Sequence, residues 1–96
     1  MKKYEIMFIV RSDVEEGANK KVFADMEKVL SDNGAKLTLS KDMGQKQLAY
    51  EIKKNKSGFY YLFNIEANDD KAIKEFDRLA LINDKIIRHL IISIEK

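Results

Sequence analysis

Along the chain the spacing of apolar residues switches between two and about 3.6, and each switch marks an element. Over residues 4–10, Tyr4, Ile6, Phe8 and Val10 share one face and Glu5, Met7 and Ile9 the other. β-Branched and aromatic types predominate there, and apolar residues on both faces predict a central strand. A helix follows. Ser12 with Glu15, or Asp13 with Glu16, is placed to form a capping box, with acidic residues in the favourable first turn. Val22, Phe23, Met26, Val29 and Leu30 then recur at helical spacing, and Gly34 suits the left-handed residue that ends such a helix.

Period two returns from Ala35, through Leu37 and Leu39 and then Leu48, Tyr50 and Ile52. Gly44 lies between the two runs as a bulge or bend in one long strand. Asn55-Lys56-Ser57-Gly58 reads as a hairpin turn, after which Phe59, Tyr61, Phe63, Ile65 and Ala67 alternate with Tyr60, Leu62, Asn64 and Glu66. Asn68, Asp69 or Asp70 caps a second helix with Ala72, Ile73, Phe76, Leu79 and Ala80 on its apolar face. Asn83-Asp84 turns the chain into a last strand, Ile86 to Glu95. There Ile86, Arg88, Leu90, Ile92 and Ile94 form one set and Ile87, His89, Ile91, Ser93 and Glu95 the other. Periodicity leaves open which set faces the core. In one case Arg88 snorkels from an edge; in the other it stands beside a strongly apolar surface.

The order β-α-β-β-α-β predicts an α+β, ferredoxin-like split βαβ fold. Right-handed crossovers put both helices on one face of a four-stranded antiparallel sheet, with the first and third strands in the middle. The other face is left open, and function is sought there. No linker or low-complexity segment interrupts the 96 residues, so residues 1–96 read as a single domain.

Composition narrows the chemistry. With 45% hydrophobic and 35% charged residues the chain is globular, and no cysteine is present for a disulfide, a thiolate metal site or a thiol nucleophile. The apolar run after Met1-Lys2-Lys3 is short and broken by Glu5, unlike a secretory leader, and no stretch approaches the roughly 20 residues of a membrane span. The reading is a soluble, cytoplasmic protein with no membrane partner. A net charge of +2 is too small to bind nucleic acid by bulk electrostatics. The cations instead form local anchors: Lys2, Lys3 and Arg11 bracket the first strand, and Lys53, Lys54 and Lys56 gather at the hairpin.

Catalysis finds no support. His89 is the only histidine, the four glycines are scattered, and most carboxylates lie on helix faces at ion-pair spacing. We therefore expect no enzyme activity, no cofactor, no metal and no small-molecule substrate. Base stacking in the manner of an RNA-recognition motif needs aromatics on the two central strands. Only Tyr60 is offered, beside Glu5 and Glu66. What the open face does present is apolar: Met7, Ile9, Tyr60 and Leu62. A protein-partner surface, a homodimer seam or an ordinary sheet surface explains such a patch, and we favour the partner.

Gly44-Gln45-Lys46-Gln47-Leu48-Ala49-Tyr50-Glu51-Ile52-Lys53 resembles the glycine, basic, polar, Leu-Ala-Tyr, isoleucine signature of ribosomal protein six of the bacterial small subunit. Tyr4-Glu5 with Met7 to Val10, Gly58-Phe59-Tyr60, and Asp84 to Arg88 extend the resemblance over essentially the whole chain. It departs at Ser12 and Glu51, where the family often has proline, and at Met43, where an aromatic is common. The chain ends just after the last strand, so a tail carried by some relatives is not expected to contribute. The resemblance implies a non-enzymatic ribosomal protein that binds the central domain of small-subunit ribosomal RNA together with ribosomal protein eighteen. On that basis Lys2, Lys3, Tyr4, Lys46 and Arg88 are the expected RNA contacts, and Met7, Ile9, Tyr60 and Leu62 the partner surface. The rivals are a small dimeric ligand-binding or enzyme domain, which needs a pocket of converging polar groups, and a standalone RNA-binding module, which needs tight binding without a partner.

Overall fold

The computed structural model describes residues 2–14, 17–52 and 55–94. Its elements are β1 (Lys2–Arg11), α1 (Ala18–Asp32), β2 (Lys36–Ile52), β3 (Asn55–Ala67), α2 (Lys71–Ile82) and β4 (Ile86–Ser93). The strands form one antiparallel sheet in the order β2-β3-β1-β4, so the first and third strands are central, as the crossover rule requires.

One parity of each central strand supplies the core. Ile6, Phe8 and Val10 lie opposite Phe63, Tyr61 and Phe59. Val22, Met26 and Leu30 of α1 and Ala72, Phe76 and Ala80 of α2 close over them from one side. Phe8 stands at the centre, with ring centroids 5.3 Å from Tyr61, 5.5 Å from Phe63 and 5.8 Å from Phe76. Such tilted and edge-on pairs contribute about 0.5–1.5 kcal/mol each beyond their buried area. Tyr61 is fully buried, and Asn19 donates from Nδ2 to its hydroxyl at 2.8 Å, which satisfies the polar end of the ring.

The ends of α1 show one expectation met and one overturned. Gly34 takes φ +91°, its N–H reaches the Ser31 carbonyl, and the Ala35 N–H reaches that of Leu30 at 3.0 Å. This is a Schellman stop with Leu30 and Ala35 both in the core. At the other end α1 begins at Ala18, preceded by Gly17 at φ +86° with no side-chain cap. The capping box expected at Ser12 or Asp13 does not form, because both side chains are engaged elsewhere. Ser57 Oγ donates to Ser12 Oγ at 2.9 Å, and Asp13 takes two hydrogen bonds from Arg11, at 2.6 and 2.9 Å. Glu15 and Glu16 lie outside the described residues.

Register shifts explain two further differences and meet one expectation. Leu37 is opposite Ile65 but Leu39 is opposite Asn64, so the extra residue Thr38 puts Leu39 on the other face from Leu37, although the two share one period-two run. A second shift at Met43, with Gly44 at φ +79° and its N–H on Asp42 Oδ1, gives the expected bulge in one continuous β2. Asn55 already pairs with Ile52 and Ser57 with Gln47, so Asn55 to Gly58 are strand residues and not the turn. Lys53 and Lys54, expected in the same basic cluster, lie outside the described residues.

The last strand is now assigned. Ile6, Phe8 and Tyr4 face Ile91, His89 and Ser93, whereas Ile9, Met7 and Glu5 face Arg88, Leu90 and Ile92. Arg88, Leu90 and Ile92 therefore stand on the open face. A shift between Ile9 and Val10 leaves Ile87 as the extra residue and returns Ile86 to the core. His89 packs edge-on to Phe76, and its Nε2 lies 2.7 Å from Asp77 Oδ1, which fastens α2 to β4 and accounts for the single histidine structurally.

Candidate functional site

The open face is built from the odd residues of β1 and the even residues of β3, flanked by β4 and β2. At its centre Ile9, 5% exposed, is sealed over Gly58. A Cβ built on Gly58 would stand 2.4 Å from Ile9 Cγ2 and 3.1 Å from the Val10 carbonyl oxygen, so glycine is required there by close approach. Ile87, also nearly buried, closes the same spot. Of the expected partner-surface residues, Ile9 is thus a floor, while Met7, Tyr60 and Leu62 are half-buried around it.

Met7, Ile9, Tyr60, Arg88 and Leu90 enclose a hollow of about 250 Å³. Arg88 lies on its rim, and its Nη1 donates to the Tyr50 hydroxyl at 3.2 Å across 38 residues of sequence. Tyr50 itself is 65% exposed, so the long β2–β3 hairpin brings a ring over the sheet to hold a guanidinium at the surface. Lys46 reaches the same area, its ammonium 5.7 Å from the centre of the Tyr60 ring. At an exposed site such a cation–π contact contributes about 0.5–1 kcal/mol. Two cations, an aromatic wall and an apolar floor are therefore gathered in one place.

The remaining expected RNA contacts lie apart. Lys3 is on the open face but at the other end of β1, about 20 Å from Ile9 at roughly 3.4 Å per residue. It lies 3.8 Å from Glu66 Oε1. Lys2 is exposed beside it. Tyr4 is half-buried on the helix-covered face and packs against the core, opposite to the side that carries Arg88. Arg11, counted among the basic anchors, is spent on Asp13. That bidentate hydrogen bond pushes the guanidinium further up and holds the Asp13 carboxyl below the usual carboxylate range.

Three features escaped the sequence reading. Leu90, Ile92 and Ile94 of the last-strand segment are each about 41–44% exposed and extend the apolar patch to the sheet margin. Their signal was the Arg88 set itself, whose face alternation could not assign. Leu39 joins the open side through the Thr38 bulge, which period two conceals. The Tyr50–Arg88 bond spans too much sequence for any local pattern. A larger hollow, about 730 Å³, lies away from this face among Arg11, Asp13, Lys21, Asp84, Lys85 and neighbours. Its charges are of both signs and its arginine is already paired, so it offers no convergent chemistry. Among the described residues no group of three or more histidine or carboxylate side chains is placed to hold a metal ion, and no helix is long and apolar enough to cross a membrane.

Comparison with known proteins agrees with this architecture. The family model described as ribosomal protein S6 matches residues 3–93. Among solved structures, the 30S ribosomal protein S6 of Thermotoga maritima superposes with a TM-score of 0.91 at 25% identity, covering 96% of this chain and 86% of that one. That family comprises structural, RNA-binding proteins of the small ribosomal subunit in the cytoplasm, and not enzymes. With nearly its whole length matched, this chain belongs to the ribosomal protein S6 family and is a protein of the small ribosomal subunit.

Proposed function

We propose that the protein enters the small subunit by binding the central domain of its ribosomal RNA jointly with ribosomal protein eighteen, through the open face of the sheet. The observation that carries this reading is Arg88, a guanidinium held by Tyr50 on the rim of an apolar hollow. An arginine can fork onto phosphate or a base edge, while the adjoining Met7, Tyr60, Leu62 and Leu90 suit a protein partner. RNA and partner are then met side by side. Lys46 adds a second cation at this end, and Lys2 and Lys3 a separate pair at the other; Tyr4, from the opposite face, contributes by holding the start of β1.

Joint binding follows from the charge. With a net charge of +2 and its anchor cations split between two ends of the sheet, the protein has little to offer naked RNA, and a partner would share the work of neutralising phosphate. The test is binding to a central-domain RNA fragment across a salt series, with and without ribosomal protein eighteen. We expect weak binding alone, tighter binding with the partner, and a slope near 0.9 per phosphate neutralised in duplex-like backbone. Tight binding alone would contradict joint assembly, and no binding under either condition would contradict the RNA reading.

A further inference from the structure

The three arginines of the chain are held in two different ways. Arg11 and Arg78 pair with carboxylates close in sequence, Asp13 and Glu75. Arg88 donates from Nη1 to the neutral hydroxyl of Tyr50, and among the described residues no carboxylate lies within ion-pair distance of it. A carboxylate orients a guanidinium and cancels its charge. A hydroxyl orients it and leaves the charge whole. The guanidinium also keeps its other N–H donors for an incoming acceptor.

An irregularity of β2 brings Tyr50 to this position. Gln47 pairs with Ser57 and Ile52 with Asn55, so the four residues Leu48, Ala49, Tyr50 and Glu51 span the place of one, Lys56. Extra residues of this kind bend a strand and re-aim its side chains. Burial does not account for where the ring goes, since Tyr50 stays 65% exposed. We infer that Tyr50 is a positioning residue for the RNA contact of Arg88. Its hydroxyl sets the guanidinium on the rim of the hollow formed with Met7, Ile9, Tyr60 and Leu90 before RNA arrives, without neutralising it.

The gain is preorganisation. A long side chain that is free on the sheet surface loses rotamer freedom when it is fixed on a ligand. Ordering it beforehand strengthens binding by about two- to tenfold. The bond is exposed and contributes little to folding, so the gain falls on binding. This role rests on the RNA reading proposed above, whereas the hold of Tyr50 on Arg88 is a property of the free protein.

The test compares the full-length parent with Tyr50→Phe, Arg88→Ala and the double variant. In the free protein, NMR relaxation of the Arg88 Nε–H should show restricted motion in the parent and freer motion in Tyr50→Phe, at an unchanged denaturation midpoint. Binding to the central-domain RNA fragment with ribosomal protein eighteen is then measured for all four. Tyr50→Phe should weaken it about two- to tenfold where Arg88 is present, and not at all in the Arg88→Ala background. Equal weakening in both backgrounds would overturn the inference, because Tyr50 would then act on RNA or on the hairpin by itself. Equal Arg88 mobility in parent and Tyr50→Phe would overturn it too. Where Arg88→Ala weakens binding and Tyr50→Phe does not, this role alone fails; where Arg88→Ala binds as the parent does, the RNA reading of Arg88 fails and takes this role with it.

Discussion

The two faces of the sheet are written on the same strands, one residue out of phase, and they differ in everything but ancestry. On the covered face Ile6, Phe8, Val10, Tyr61, Phe63 and Ile65 are each no more than 1% exposed and interlock with both helices. On the open face Met7, Tyr60 and Leu62 are half-buried, Leu90 and Ile92 are exposed, and a guanidinium stands among them. The lesson is a division of labour by parity: a step of one residue along β1 moves from what holds the fold to what the fold presents. Substitutions on the two faces should therefore separate stability from binding.

The largest effect is expected at the centre of the covered face. Phe8→Ala removes a ring in contact with Tyr61, Phe63 and Phe76 and should cost about 3–5 kcal/mol in a denaturant titration, with binding lost only because folding is lost. Next comes the point where the open face is itself tightly packed. Gly58→Ala forces a methyl against Ile9 and should cost about 1–3 kcal/mol, placing this one spot of the open face with the core. A loss near zero would show that Ile9 moves aside freely.

Tyr61→Phe is milder, about 1 kcal/mol near neutral pH, since it removes the hydroxyl that accepts from Asn19. Burial pushes that hydroxyl above its ordinary pKa, with the Asn19 bond opposing the shift. The unfolded chain then releases the proton at about pH 10 while the folded chain retains it. Stability from this group is full below about pH 10 and falls as pH rises toward the folded value. Alkaline titration of the variant should lack that decline. The smallest stability effect belongs to Arg88→Ala, within about 0.5 kcal/mol, because the exposed guanidinium touches the fold chiefly through Tyr50.

How much of this was legible in the chain depended on whether a residue obeys its own local period. The alternation over β1 and β3 and the helical spacing of Val22 to Leu30 and Ala72 to Ala80 placed six elements and nearly all of the core. Bulges defeated the rest. Thr38 and Ile87 each add one residue to a ladder, which flips the side chains beyond them and leaves no mark in composition. For that reason period two gives no hint that Leu39 leaves the face of Leu37, and it assigns the Arg88 set to neither face. The start of α1 was misplaced because capping residues are recognised by type, and Asp13 was already claimed by Arg11 in space. Tyr50 falls within the family signature, yet its hold on Arg88 depends on a hairpin folding back, a long-range fact.

Under the proposed function the open face, with Arg88 on it, binds without holding the fold. The direct measurement is the affinity of Arg88→Ala for the central-domain RNA fragment in the presence of ribosomal protein eighteen, read beside its denaturation midpoint. We expect weakened joint binding with a midpoint near that of the parent protein. Unchanged binding, or weakened binding with a collapsed midpoint, would overturn this role for Arg88.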